Sequence, residues 1–172
     1  KLYEKCAKSF PNHIYSKLNL SFLYYKLNNL KEAEKIIDEA IKLKPNLPNG
    51  YCIRGLILKS LNKYNQSKIS FEKAIEIDKN YIDAYINIGL LNKDSNKYNE
   101  AEEYYLQALE INNKSAIAHM NLGACYRDKQ ELEKAIFHTN QAIELDNKLD
   151  NCYLNLATIY NQIGNYKKAL EF

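Results

Sequence analysis

Residues 82–115 read IDAYINIGLLNKDSNKYNEAEEYYLQALEINNKS, and the rest of the 172-residue chain can be laid over this stretch in steps of 34. Four marks carry the register: Gly89, then Tyr98 nine residues later, Ala101 three further, and Ala108 seven beyond that. A fixed period of this length signals a solenoid of repeated units, each of which buries its apolar face against a neighbour.

Working outward, the unit at 48–81 carries Pro48, Gly50, Tyr51, Gly55, Leu58, Tyr64, Ser67, Phe71, Ala74 and Ile75 at the marked places. The unit at 14–47 carries Leu20, Ser21, Tyr24, Leu30, Ala33, Ile37, Ala40, Ile41 and Pro45. The unit at 116–149 gives His119, Leu122, Gly123, Tyr126, Leu132, Ala135, Ala142 and Ile143. Residues 150–172 begin a fifth unit and break off within it, and residues 1–13 match the second half of a preceding one, with Pro11 one period before Pro45. Both ends are therefore expected to be cut.

Spacing within a unit predicts two helices. Ala84, Ile88, Leu91 and Asn92 fall at i, i+4, i+7 and i+8, and Ala101, Tyr105, Ala108 and Leu109 repeat that one-sided pattern. Between the helices, Asn28, Asn62, Asn96 and Gly164 share one column. Asn and Gly enter the left-handed conformation at least cost, so the column reads as a helix C-cap and stop. Small residues at Gly55, Gly89, Gly123 and Ala157, and at Ala33, Ala101, Ala135 and Ala169, mark places where helix axes come close.

The composition suits such a chain: 46% hydrophobic, 26% charged, 15 Tyr, and only 5 Gly and 3 Pro. A net charge of +3, dispersed along the sequence, gives no support to a nucleic-acid or membrane-surface role. Cys6, Cys52, Cys125 and Cys152 lie far apart with no metal-ligand spacing. They are read as reduced, packed thiols in a cytoplasmic protein, and no metal or cofactor is expected. No apolar run reaches the length of a membrane span and no leader-like segment is present. A targeting signal beyond the given residues is left open.

The Gly–Tyr–Ala–Ala columns, in phase along the whole chain, resemble the tetratricopeptide repeat. That resemblance implies an all-α, alpha-alpha superhelix of antiparallel helix pairs, whose first helices line a concave groove that binds peptides or proteins. In the family the groove-facing places on each first helix are the second, fifth, sixth, ninth, twelfth and thirteenth. The sixth place here is Asn19, Ile53, Asn87, Asn121 and Asn155. An asparagine amide both donates and accepts, so Asn19, Asn87, Asn121 and Asn155 are candidate rungs of a ladder that clamps a peptide backbone. This ladder looks like that of O-linked N-acetylglucosamine transferases and is similar to that of importin-type solenoids, although Asn at this place also belongs to the general repeat consensus.

The fifth and ninth places are largely apolar, and Phe22, Leu56, Ile86, Leu90 and Met120 are the candidate anchors. The twelfth place supplies Lys59, Lys93 and Arg127, a row of cations at one lip that suits acidic ligand groups unless Asp94 and Asp128 beside it neutralise the row. The carboxylate clamp of heat-shock co-chaperones is absent, since its first Lys/Asn pair falls on Leu18 and Phe22, Cys52 and Leu56, or Ile86 and Leu90.

Catalysis finds no footing. His13 stands apart from His119 and His138, which fall on the two helices of the unit at 116–149, and His119 replaces the aromatic of Tyr51, Tyr85 and Tyr153, which makes it a packing residue. Arg54 stands where other units have Leu20, Ile88, Leu122 and Leu156. Its stem is expected to pack while the guanidinium reaches water, with anchoring of an acidic group as the lesser alternative. The reading is therefore a non-enzymatic scaffold for an extended peptide or partner protein. Alternatives are the substrate-presenting part of a larger enzyme such as a glycosyltransferase, and a module that assembles head to tail through its half-units.

Overall fold

A computed structural model describes residues 13–172, so the half-unit expected at 1–13, and Cys6 with it, lies outside the described residues apart from His13. Regular structure among the described residues is entirely helical. Five leading helices, α1 (Ile14–Lys26), α3 (Pro48–Ser60), α5 (Ile82–Asp94), α7 (Ala116–Asp128) and α9 (Asp150–Gln162), are each followed by a partner. The partners are α2 (Leu30–Leu43), α4 (Tyr64–Ile77), α6 (Tyr98–Ile111), α8 (Leu132–Leu145) and the short α10 (Tyr166–Ala169).

The turn inside each pair is one device used five times. Asn28, Asn62, Asn96, Gln130 and Gly164 have φ of 58°, 59°, 58°, 64° and 80°. The amide after each reaches back across the turn, as Asn29 to the Tyr24 carbonyl at 2.8 Å and Glu131 to the Tyr126 carbonyl at 2.9 Å. This bond satisfies a carbonyl that the helix end leaves orphaned. In two turns the asparagine does more, because its Oδ1 accepts the hydroxyl of Tyr64 or Tyr98 at 2.8 Å. Gln130 completes a column that the sequence marks only by Asn and Gly. Its left-handed backbone is imposed by the helices on either side.

Between pairs, Asn80, Lys114 and Lys148 donate their backbone N–H to the side chains of Asp78, Asn112 and Asp146, local turns that end one helix before the next begins. Leading helices then start on His13 or Ser115 side-chain caps, or on Pro48 in the first turn, where a missing N–H is harmless.

The chain divides into two compact units, one running to Asn87 and one from Ile88 to Phe172. In the first, Leu18, Ala33, Ile37, Ala40 and Ile57 form the core, with Ile14, Tyr24, Tyr25, Ile41, Leu47, Ile53 and Leu61 packed against it. Ile53, which breaks the asparagine column, is thus half-buried against the core. A Cβ added at Gly55 would lie 2.4 Å from the Phe71 ring, so α3 and α4 approach as closely as they do only because that side chain is absent. In the same unit Arg54 combines both alternatives, since its side chain stays 30% exposed and is also paired. Its Nε donates to Asp38 Oδ1 at 2.8 Å and Nη1 to Ser70 Oγ at 3.0 Å, so the guanidinium anchors an acidic group and ties α3 to α2 and α4.

In the second unit Tyr105, Leu122, Leu156 and Ile159 are fully or almost fully buried with the alanines Ala101, Ala108, Ala118, Ala135 and Ala142. Cys125 and Cys152 are buried and free here, as Cys52 is in the first unit. Burial pushes the Cys52 thiol up to about 12 and that of Cys125 to about 11, which makes them inert packing groups.

Candidate peptide-binding face

In the first unit the leading helices present a mixed amide and aromatic face. Asn19 is exposed on α1, and Phe22, 38% exposed, lies one turn further on with its ring 5.8 Å from that of Tyr25. Lys26 covers both rings, its Nζ 5.1 Å and 5.6 Å from their centroids, a cation–π arrangement that keeps the aromatic pair solvated at one edge. Leu56 and Lys59 on α3 are half-buried. Ile86, expected as an anchor, is buried and has little surface to offer a ligand.

Asn87 is half-buried, and its Nδ2 donates to the Asp83 carbonyl at 2.7 Å and approaches Cys52 Sγ at 3.8 Å. A backbone carbonyl only accepts, so the amide orientation is fixed with nitrogen toward its own helix. The group left for a ligand is the oxygen, an acceptor for a peptide N–H.

The second unit repeats the theme with different emphasis. Asn121 is half-buried and donates to the Ile117 carbonyl at 2.9 Å, the same back-bonded pose as Asn87. Leu90 and Met120 are half-buried, Ile117 is 51% exposed and Leu154 66% exposed, so apolar surface is present on α5, α7 and α9. Asn155 differs from the other rungs. It is 4% exposed, accepts from Arg127 Nη1 at 2.8 Å and donates to Thr139 Oγ1 at 2.8 Å, so both ends of its amide are already satisfied.

The lip cations of this unit share one aspartate. Lys93 Nζ lies 3.2 Å from Asp128 Oδ2, and Arg127 holds Oδ1 through Nη2 at 2.7 Å and Nε at 3.1 Å. One carboxylate thus pairs with two cations, and the lip is an ion-pair network rather than a row of bare charges. Exposed Tyr15 on α1 and Ile117 on α7 occupy the second place of their helices, and sequence reasoning passed over them. The cue was available in the family's groove-facing places, but nothing in those residue types distinguishes an exposed apolar side chain from a packed one.

Among the described residues no group of three or more His, Cys, Asp and Glu side chains could hold a metal ion. No helix among them is long and apolar enough to cross a membrane. A cavity of about 380 Å³ in the first unit is lined by Tyr51 and Arg54 of α3 and by Ile69, Ser70, Glu72, Lys73 and Glu76 of α4, none of them at a groove-facing place.

Helix pairs repeated in tandem, with amide or apolar side chains of the leading helices partly open to solvent, define a repeat scaffold of the class that mediates protein interactions. The chain belongs to the tetratricopeptide repeat family, whose repeat models match residues 14–47, 48–81, 82–115, 116–149 and 150–172. No curated protein matches the sequence.

Solved structures with the same fold include YrrB, described as a tetratricopeptide protein with an unusual peptide-binding site, at 22% identity and a TM-score of 0.67 over 99% of this chain and 88% of that one. MamA from Desulfovibrio magneticus RS-1, residues 41 to the end, matches at 22% identity and a TM-score of 0.74, over 92% and 89% of the two chains. A chain of the APC/C hetero-tetramer Cut9–Hcn1 matches at 16% identity and a TM-score of 0.89, over 99% of this chain and 34% of that one. At these identities the likeness is one of fold.

Proposed function

We propose that this scaffold binds an extended peptide, or an extended segment of a partner protein, along its leading helices, and that it does so without catalysis. The observation that carries the reading is the pose of Asn87 and Asn121. Each turns its nitrogen to its own helix backbone, which leaves the carbonyl oxygen to meet a backbone N–H of the ligand. Asn19, exposed on α1, is the third open rung, whereas Asn155 acts through Arg127 by holding its guanidinium.

Phe22, Leu56, Leu90 and Met120 supply apolar contact, with Ile86 behind them in the packing. Lys59, Lys93 and Arg127 line the lip, where Lys93 and Arg127 share Asp128, and they suit acidic groups on the ligand. The peptide-binding site in YrrB's description supports the reading by analogy of fold. The buried, free thiols fit a reducing, cytoplasmic setting.

The test uses the whole chain and a displayed library of random dodecapeptides. Selected peptides are expected to bind the protein at least about tenfold more weakly when Asn19, Asn87 and Asn121 are all changed to Ala, since three lost hydrogen bonds are worth about 0.5–1.5 kcal/mol each. Helical circular dichroism should stay as it was. Undiminished binding by the triple variant removes the ladder from the account.

A further inference from the structure

His119 on α7 and His138 on α8 stack with ring centroids 5.2 Å apart. Their Nδ1 atoms approach to 2.9 Å, and Nε2 of His119 lies 3.1 Å from the carbonyl oxygen of Asn113 in the turn before α7. The carbonyl has no hydrogen to give, so His119 Nε2 carries one. In the neutral ring Nδ1 of His119 is then the acceptor, and the hydrogen between the rings belongs to Nδ1 of His138. One pattern of protons therefore satisfies the neutral pair, with His138 held in its Nδ1–H form. A proton added at His119 Nδ1 would set two N–H groups against each other across 2.9 Å, whereas one added at His138 Nε2 would leave that bond and place charge on a ring enclosed by His119, Tyr126 and Phe137.

The charged and titratable groups around the pair come from four elements. From α6, Glu102 accepts the Tyr126 hydroxyl at 2.7 Å and binds Lys129. From α7, the Tyr126 ring stacks on His138 with centroids 5.4 Å apart. From the α7–α8 turn, Lys129 also lies 3.0 Å from Glu131. From α8, Phe137 packs edge-on against His138 at 5.1 Å, and Lys134, bound to Glu131 at 2.6 Å, sits 5.0 Å over the Tyr126 ring. Both carboxylates, Glu102 and Glu131, are thus engaged by other donors; the Glu102 charge still favours a protonated His138, and Lys134 opposes it. Burial first, and His119 second, push His138 down to about 4.

We propose that His119 and His138 form an acid-labile latch that ties α7 to α8 and to the α6–α7 turn, so that protonation loosens this part of the second unit. Any effect on ligand binding rests on the groove reading above, because α7 carries Met120 and Asn121. Mild acid then weakens peptide binding in the second unit while leaving Asn19 and Phe22 as they were.

Long-range proton–nitrogen correlation spectra of the labelled whole chain read the tautomers directly. At pH 7.5 His138 is expected in the Nδ1–H form and His119 in the Nε2–H form. The Nε2–H form at His138 overturns the latch whatever any variant does.

Replacing His138 by Phe keeps a ring in the stack and removes its titration. The wild-type melting temperature is expected to fall between pH 7 and 5 more steeply than that of His138→Phe, and parallel curves overturn the proposal. Should both latch measurements hold while capture of the selected dodecapeptides is the same at pH 7 and pH 4, the latch stands without coupling to the groove, and the triple asparagine variant decides the groove reading separately.

Discussion

Tyr105 shows how one atom can be wrong for its place while the residue is right. Its ring fills the space opened by Gly89, where a Cβ would lie 2.5 Å from a ring carbon, and the residue is fully buried. The hydroxyl, however, has no hydrogen-bond partner, and burial drives its pKa far above the usual phenol range. An orphaned buried hydroxyl costs about 1–3 kcal/mol, and Tyr→Phe removes it without changing the ring. Tyr105→Phe is therefore expected to raise the melting temperature by roughly 2–4 °C, the shift that about 1 kcal/mol produces in a domain of this size. A fall on calorimetry would mean that the hydroxyl has a partner in solution. The column already holds a Phe at Phe71, so the ring was legible in the sequence. The stranded oxygen was not, because its satisfaction depends on atoms one helix away.

At the level of the helix pair, the interhelix turn and the binding face were legible to different degrees. The turn is local, and Asn at Asn28, Asn62 and Asn96 gave it away. Gln130 did not, since nothing in its own chemistry favours a φ of 64°. Left-handed backbone costs a residue with a Cβ about 1–2 kcal/mol relative to glycine. Gln130→Gly is thus expected to stabilise the α7–α8 hairpin by about 1 kcal/mol, less what glycine loses in the unfolded chain, read as a rise in the urea midpoint with unchanged slope. A lower midpoint would show that the Gln130 side chain, which lies within 3.4 Å of the Arg127 carbonyl, contributes more than the strain costs.

The face is another matter. The fifth place of a leading helix is 2% exposed at Leu18 and 5% at Ile86, yet 66% exposed at Leu154. The residue type is nearly constant while exposure swings with what the neighbouring helices cover. Period and turn chemistry fix the helix pairs; they carry no record of which groove-facing side chains remain open.

Across the whole chain, acid should act on the two units in different pH windows. In the second unit His138 has its folded pKa lowered from 6.5 to about 4, so the unfolded chain takes up a proton there first. Stability from this group is complete above 6.5 and is lost as pH falls from 6.5 toward 4. The carboxylates act lower. In the first unit Glu39 is held below its ordinary 4.5 chiefly by the hydrogen bond from Lys17. In the second unit burial raises Glu102, but the hydrogen bonds from Lys129 and Tyr126 outweigh it and leave the group lowered. A depressed carboxylate stabilises the fold above its unfolded pKa, and that contribution disappears only as pH drops below about 4.5.

Hydrogen exchange resolved by peptide, corrected for the intrinsic rate at each pH, is therefore expected to show α7 and α8 losing protection between pH 6.5 and 5, while α1 to α4 hold theirs until pH is below 4.5. Restoring neutral pH should restore both. If all helices lost protection together at one pH, the two units would be unfolding as one, and the separate linkage of His138 and of the carboxylates would be the wrong description of this chain in acid.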